Sequence, residues 1–499
     1  GWGWYFKTVR RSGHENGDPV ERVIFPNHPS HTGSPLSAES ARSQMACAIA
    51  VVNRQVRTAA GVFAPGHLGE LTQLVPFEMV DEVLAEAGGR ERRLRELPSR
   101  VVVYLLLAAG LFAELGYRQV WARLTSGLAE PGPVPSSSAL AQARRRVGVA
   151  PVKALFELLA GPPAGATRWR SLLVCALDGT TMSVPDSPAN LARYGHQSGS
   201  HGGSGYPLVR VLAVVACGTR TLLAVRFGPF KSGECTYAPQ VFGCLRSGMV
   251  LLGDRMFAVR ALVTAIAETG ADLLIRCKNN RSLPRLDTLA DGSFISILGG
   301  VTVRVIDAEI TVTLSGTSRR TGRYRLITTL TDHRRYPALE LLTLYHHRWE
   351  IETTYLELKS TVLGGRVLRA RTPQGVDQEI YALLTAYQAL RLAMAEATVA
   401  QTALQADRAS FTIALHTARD QIIHAAGIIA DSVIDLIGKI GRAVLADPLP
   451  PRRVRVSPRI VKRAISKHRA KGQADRTNHR AAIAIDVLTE PESTTAQAP

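Results

Sequence analysis

A chain of 499 residues exceeds what one hydrophobic core serves, and 46% apolar content excludes a mostly unfolded polymer, so two to four domains are expected. Its 60 Lys and Arg against 41 Asp and Glu give a formal charge of +19, which favours a polyanionic partner: nucleic acid first, an anionic membrane surface second.

Residues 1–56 mix Gly, Pro, His and charged residues without a sustained period, the pattern of a poorly ordered arm. The first residue is Gly, and Met45 precedes the first sustained pattern. The arm is therefore expected to be a fragment's edge or translated sequence outside the functional protein. No apolar run follows its basic residues, so it does not read as a secretory signal, and a cytoplasmic protein is expected.

Residues 57–165 read as a helical N-terminal domain, through LTQLVPFEMVDEVLAEAG, an apolar helix after Pro98, YRQVWARLTSGL, and ALAQARRRVG behind a serine cap at 136–138. The apolar stretch 101–113 has 13 residues where a bilayer-spanning helix needs about 20, so it is expected in the core and no membrane partner is expected. Basic clusters at 90–95 and 144–146 suit either DNA phosphates or a solvated helix face.

From 166 to 281 the text turns to SLLVCALD, PLVRVLAVVAC, RTLLAVRFG and GMVLLGD, a helix over 257–268, then ADLLIRCK, which predicts a mixed α/β sheet with flanking helices. Residues 282–335 carry no helical period and read as an all-β insertion. A long helical pattern resumes over 336–400 through YHHRWEIETTYLELK, 401–449 is a C-terminal helical region, and 450–499 is a basic tail, flexible or partly helical. Within that tail, 450–480 holds eleven Lys or Arg against one Asp. The Gly-rich run 195–205 lacks the Gly-Lys-Ser/Thr ending of a phosphate loop and reads as a flexible connection. Six cysteines without a CxxC pair read as reduced, buried thiols in preference to a zinc site or disulfides.

The chemistry concentrates around residue 352. On a wheel of 100° per residue with Tyr345 at zero, Arg348 falls at roughly 300°, Lys359 at roughly 320° and Glu352 at roughly 340°. Leu344, Trp349, Tyr355 and Leu356 surround them, whereas His346, His347, Glu350, Thr353, Thr354 and Glu357 form the expected solvent-facing side. Charges on an inward face need a partner, a metal or a ligand, and an Arg348–Glu352 ion pair is the structural alternative. Asp178 closes the apolar run SLLVCALD, and Asp254 closes GMVLLGD ahead of Arg255. Acids at the ends of buried strands stand where α/β domains build ligand sites, although they also cap turns. Two of them with an inward Glu make a hard-oxygen set suited to Mg2+ or Mn2+.

This set resembles the DDE transposases of the insertion sequence four family, whose Tyr-x2-Arg-x3-Glu-x6-Lys signature stands here as Tyr345, Arg348, Glu352 and Lys359. LDGTTMSVPDSPAN and GDRMF resemble the surroundings of that family's first and second Asp, and the resemblance spans about residues 61–470. It implies a ribonuclease-H-like catalytic domain interrupted by a β insertion before Glu352. It also implies catalytic, metal-holding roles for Asp178, Asp254 and Glu352 with two Mg2+ or Mn2+ ions. Tyr345, Arg348, Lys359 and Arg255 are the expected DNA contacts. The implied activity is cut-and-paste movement of an element with terminal inverted repeats, into target DNA, by a homodimer synapsed on bacterial nucleoid DNA. Hairpin release at the element's ends needs an extruded base, to be received by Trp349 or an aromatic of the insertion. The competing readings are a metal-dependent nuclease without strand transfer and an inactive DNA-binding derivative.

Overall fold

The computed structural model describes residues 66–88, 95–128, 134–196, 205–314, 319–401, 404–426, 438–450 and 481–488. The arm 1–56, most of the cluster 90–95, most of the Gly-rich run and residues 451–480 of the basic tail lie outside them.

Five helices open the described chain: α1 (Phe77–Glu86), α2 (Ser99–Leu111), α3 (Tyr117–Thr125), α4 (Ser137–Val147) and α5 (Ala150–Leu159). Apolar on all sides, α2 is buried along nearly its whole length, as such a helix must be in water. It crosses a 27-residue helix, Pro373–Val399, at Gly110, where a Cβ would lie 3.0 Å from the Ala382 carbonyl oxygen. Helix α5 packs on the same long helix, so the N-terminal helices share a core with the far end of the chain. The cluster 144–146 is partly spent inside the protein: the Arg144 guanidinium stacks on Tyr117 at 3.7 Å, and Arg146 donates to the Leu97 carbonyl.

The sheet begins as an antiparallel meander of β1 (Leu172–Ser183), β2 (Leu208–Ala216) and β3 (Leu222–Pro229), with helix α6 (Pro188–Tyr194) between the first two. β4 (Met249–Gly253) then pairs parallel to β1 on its other side, and after helix α7 (Arg260–Glu268) β5 (Asp272–Cys277) pairs parallel to β4. The resulting order, β3-β2-β1-β4-β5, is that of a ribonuclease-H-like sheet with helices on both faces.

Strand β1 outlasts β4. Their pairing stops at Leu177–Gly253, while β1 runs on beside β2 to Ser183. Asp178 is therefore the first residue past the parallel pair and lies inside its strand, which corrects the expectation that it ends one. Two-residue alternation could not see this, because the Gly-Thr-Thr after Asp178 reads as a turn.

The strands of the insertion, β6 (Phe294–Leu298), β7 (Val301–Leu314) and β8 (Arg319–Thr328), continue the same sheet. β8 pairs with β5, β7 with β8, and β6 with β7, all antiparallel. The basic tail, expected to be flexible or partly helical, supplies a strand, β9 (Ala481–Val487), antiparallel to β7. An open strand edge pairs with whatever extended segment reaches it.

The helical stretch after 336 is also less uniform than its periodicity. It is α8 (Ala338–Leu344), a 3-10 turn (Tyr345–Arg348), α9 (Trp349–Leu356) and a π-helical turn (Glu357–Val362), followed by α10 (Pro373–Val399), α11 (Phe411–Ile423) and α12 (Gly438–Ala446). Only part of the wheel's polar face is in water: His346 is exposed, whereas Glu350, Thr354 and Glu357 are buried. Conversely, Trp349 and Leu356 from its apolar face are 36% and 60% exposed. The reason is that the buried acids meet cations from other elements, Arg220 from the turn after β2 and Arg391 from α10. No described helix is long and apolar enough to cross a membrane.

Candidate active site

Strand parity decides what gathers. In β1, β4 and β5 the side chains of Val174, Ala176, Val250, Leu252 and Leu274 enter the core on the face carrying α9 and α10, while Leu173, Cys175, Leu177, Leu251 and Ile275 enter the other. Leu177, Gly253 and Ile275 stand in register across the three parallel strands. The next residue of each, Asp178, Asp254 and Arg276, accordingly projects toward α9 from strands about 4.8 Å apart.

From α9 and the turn before it comes the rest. Arg348 bridges two acids, donating to Glu352 at 3.0 Å and to Asp178 at 3.4 Å, with its side chain only 11% exposed. The ion pair within the helix and the inward stripe, alternatives from the sequence, thus coexist. Tyr345 donates to the Gly253 carbonyl at 3.0 Å, next to Asp254, and Tyr355 to the Asp178 carbonyl at 2.6 Å. Both strands are thus tied to the helical segment. Lys359 donates to the Thr180 hydroxyl at 3.2 Å, two residues past Asp178. Asp254 caps the 3-10 turn Arg255–Phe257 through the Arg255 N–H, and Arg255 itself is exposed. Among the described residues, no three His, Cys, Asp or Glu side chains converge closely enough to hold a metal ion in this arrangement.

Sequence reading missed several neighbours. Arg276 is the polar residue inside DLLIRC and stacks on Tyr324 at 4.2 Å. That interruption of an apolar strand was a legible signal. Glu234 pairs with Arg210 at 2.6 Å, and its carboxylate fills the space where a Cβ on Gly179 would be, 2.5 Å away. No local pattern announces that contact.

Burial pushes the Asp178 carboxyl up to about 6; the Gly179 N–H and Arg348 oppose this, and the charges of Glu234 and Glu352 reinforce it. A carboxyl with a raised folded pKa contributes stability that is complete below its unfolded value of 3.8 and lost as pH rises through about 6. In metal-free buffer Asp178→Asn is therefore expected to raise stability at pH 8 by ~1–3 kcal/mol and to lose that advantage near pH 4. Melting curves of both proteins with chelator at the two pH values check this. A variant no more stable than the parent at pH 8 would refute the burial account.

A β3-β2-β1-β4-β5 sheet with acids just past the β1–β4 pairing and a third acid on the helix after an insertion defines the DDE class of ribonuclease-H-like proteins. Residues 65–157 match the family model for the insertion element 4 transposase N-terminal region, and residues 169–389 match that for the transposase DDE domain. Transposase InsG for insertion sequence element IS4, of Escherichia coli (strain K12), is 27% identical over 396 residues, covering 77% of this chain and 90% of that protein. Putative transposase InsZ of the same organism is 26% identical over 204 residues, covering 40% of this chain and 67% of its own length. A cryo-EM structure of piggyBac transposase in a synaptic complex with hairpin DNA aligns with 81% of this chain and 88% of that one, at 10% identity and a TM-score of 0.38. The chain belongs to the insertion element 4 family of DDE transposases.

Proposed function

We propose that this transposase moves a DNA element bounded by terminal inverted repeats by cut-and-paste, as a homodimer synapsed on nucleoid DNA, with Asp178, Asp254 and Glu352 holding two Mg2+ or Mn2+ ions. The observation that carries this reading is the Arg348 bridge: a guanidinium already lies between Asp178 and Glu352, so the acids are arranged around a positive charge. The donors are hard carboxylate oxygens, the ligand type that suits divalent cations. When bound, such ions lower the pKa of a water or 3′-hydroxyl and offset charge on the leaving oxygen.

The reaction is an in-line displacement in which the attacking oxygen bonds to phosphorus as the P–O3′ bond breaks. The freed 3′-hydroxyl then attacks a target phosphodiester. Arg348 and Lys359 bind phosphates, the first in bidentate fashion and the second as a point charge. Tyr345 holds the end of β4, and with it Asp254, in place through the Gly253 carbonyl. Exposed Arg255 contacts the backbone beyond the cleaved bond. Trp349, exposed and stacked against Arg348 at 5.4 Å, receives an extruded base in this reading; of the insertion's aromatics, Phe294 is buried and Tyr324 is covered by Arg276.

Joined products decide the function. Purified protein with Mg2+ and a library of genomic ends should yield both cut ends and ends joined to target DNA; cutting without joining would support the nuclease instead. Lys359→Ala is expected to slow end cleavage ~10-fold and to flatten the salt dependence of end binding by about 0.9 log units, one phosphate contact. Contrary to the sequence expectation, Lys359 has a folded-state partner in Thr180, so a loss of ~1 kcal/mol in stability should accompany this. A large fall in melting temperature with unchanged cleavage per folded molecule would defeat the DNA-contact role.

A further inference from the structure

Glu352 and Lys359 each follow a buried acid by two residues: Glu350 precedes the first and Glu357 the second. Two helical residues turn the chain by about 200°, so each acid leaves the side of the helix opposite to its neighbour. On that hidden side, Arg220 donates through Nε to Glu350 at 2.5 Å and through a terminal nitrogen to Glu357 at 3.1 Å. The other Glu357 oxygen accepts from the Tyr387 hydroxyl at 2.9 Å and from Arg391, which also reaches Tyr387 at 3.1 Å. Side-chain exposure is 9% or less at all four charges. Arg220 sits in the turn between β2 and β3 at φ 57°, a conformation disfavoured for any residue with a Cβ.

We propose that Arg220, Glu350, Glu357, Tyr387 and Arg391 form a buried clamp that sets the rotational phase of this helix and thereby aims Glu352 and Lys359 at the part of β1 that carries Asp178 and Thr180. They are positioning residues for strand cleavage, and the inference rests on the reading of Glu352 as a catalytic ligand. Two features point beyond plain stability. Buried ion pairs are often no more stabilising than apolar side chains of the same volume, whereas their hydrogen bonds fix an angle that apolar contacts leave free. In addition, the helix changes from α to π at Glu357, the residue that accepts three of the clamp's hydrogen bonds. Single π turns within α-helices are frequent at functional sites. Here the turn opens at the clamp residue Glu357 and contains Lys359.

The test uses the full chain with end DNA and Mg2+, comparing Tyr387→Phe, Arg220→Lys and Glu352→Gln in single-turnover cleavage at saturating DNA. Misplacement by about 1 Å slows chemistry by up to ~100-fold, so Arg220→Lys is expected to cleave ~100-fold and Tyr387→Phe ~10-fold more slowly. The half-saturating DNA concentration should stay within about twofold for both, a split between rate and binding that a merely structural role would not produce. Tyr387→Phe removes only a hydroxyl and decides the matter if Arg220→Lys does not fold. Wild-type rates per folded molecule in Tyr387→Phe, with at most a lower melting temperature, would overturn the clamp. If Glu352→Gln is inactive in that same experiment, only the clamp fails; if Glu352→Gln cleaves normally, the catalytic reading beneath it fails.

Discussion

Asp178→Asn, Asp254→Asn and Glu352→Gln are each expected to abolish strand cleavage, by ~10³-fold or more, while leaving end-DNA binding nearly intact. Each substitution keeps the shape of the side chain and removes the charge that organises cations. The structure adds a distinction among the three. Asp178 and Glu352 both pair with Arg348, so losing either charge leaves the other as the acid facing a guanidinium whose side chain is only 11% exposed. Asp254 makes its hydrogen bond to the Arg255 N–H alone among those described, so Asp254→Asn should disturb its surroundings least. Cleavage assays on gel-purified ends, with binding measured in parallel, check the set. Near-normal cleavage by any one variant removes that residue from the site.

Glu357→Leu should produce the largest loss of stability. It removes the carboxylate facing Arg391, whose side chain is 1% exposed, and one of two carboxylates facing Arg220, at 5% exposed. Stranding a buried charge costs about 3–5 kcal/mol, far more than the net worth of the pair. The melting temperature should fall by roughly 3–5 °C. Combining Glu357→Leu with Arg391→Met removes both charges and should restore most of the loss, because the apolar pair then fills the site without desolvation cost. Thermal melts of the single and double variants measure this coupling. A double variant as unstable as the single one would show that packing, not stranded charge, sets the cost.

Local pattern carried a large part of this protein. Apolar runs located β1, β2, β4 and β5, and the all-round apolar stretch at 101–113 was rightly placed in the core. The spacing of Tyr345, Arg348, Glu352 and Lys359 marked one inward stripe, and three of those four side chains do reach the strands, at Gly253, Asp178 and Thr180. Those features depend on periods of two and 3.6 residues, which any short window of sequence contains.

What tertiary structure decided lies beyond such windows. A wheel assigns Glu350 and Glu357 to water because they are charged and grouped. Their partners Arg220 and Arg391 lie 130 and 34 residues away along the chain, and only folding brings them together. Arg276 neighbours Asp254 through strand register, which no single strand encodes. The same holds for the pairing of β8 with β5 and of β9 with β7, since an edge strand's partner is chosen by which extended segment reaches it. The sequence by itself therefore determined which residues could carry the chemistry and on which elements they lie. Tertiary structure decided their directions and their ion-pair partners, because charge pairing and strand register are set by proximity in space and not by spacing along the chain.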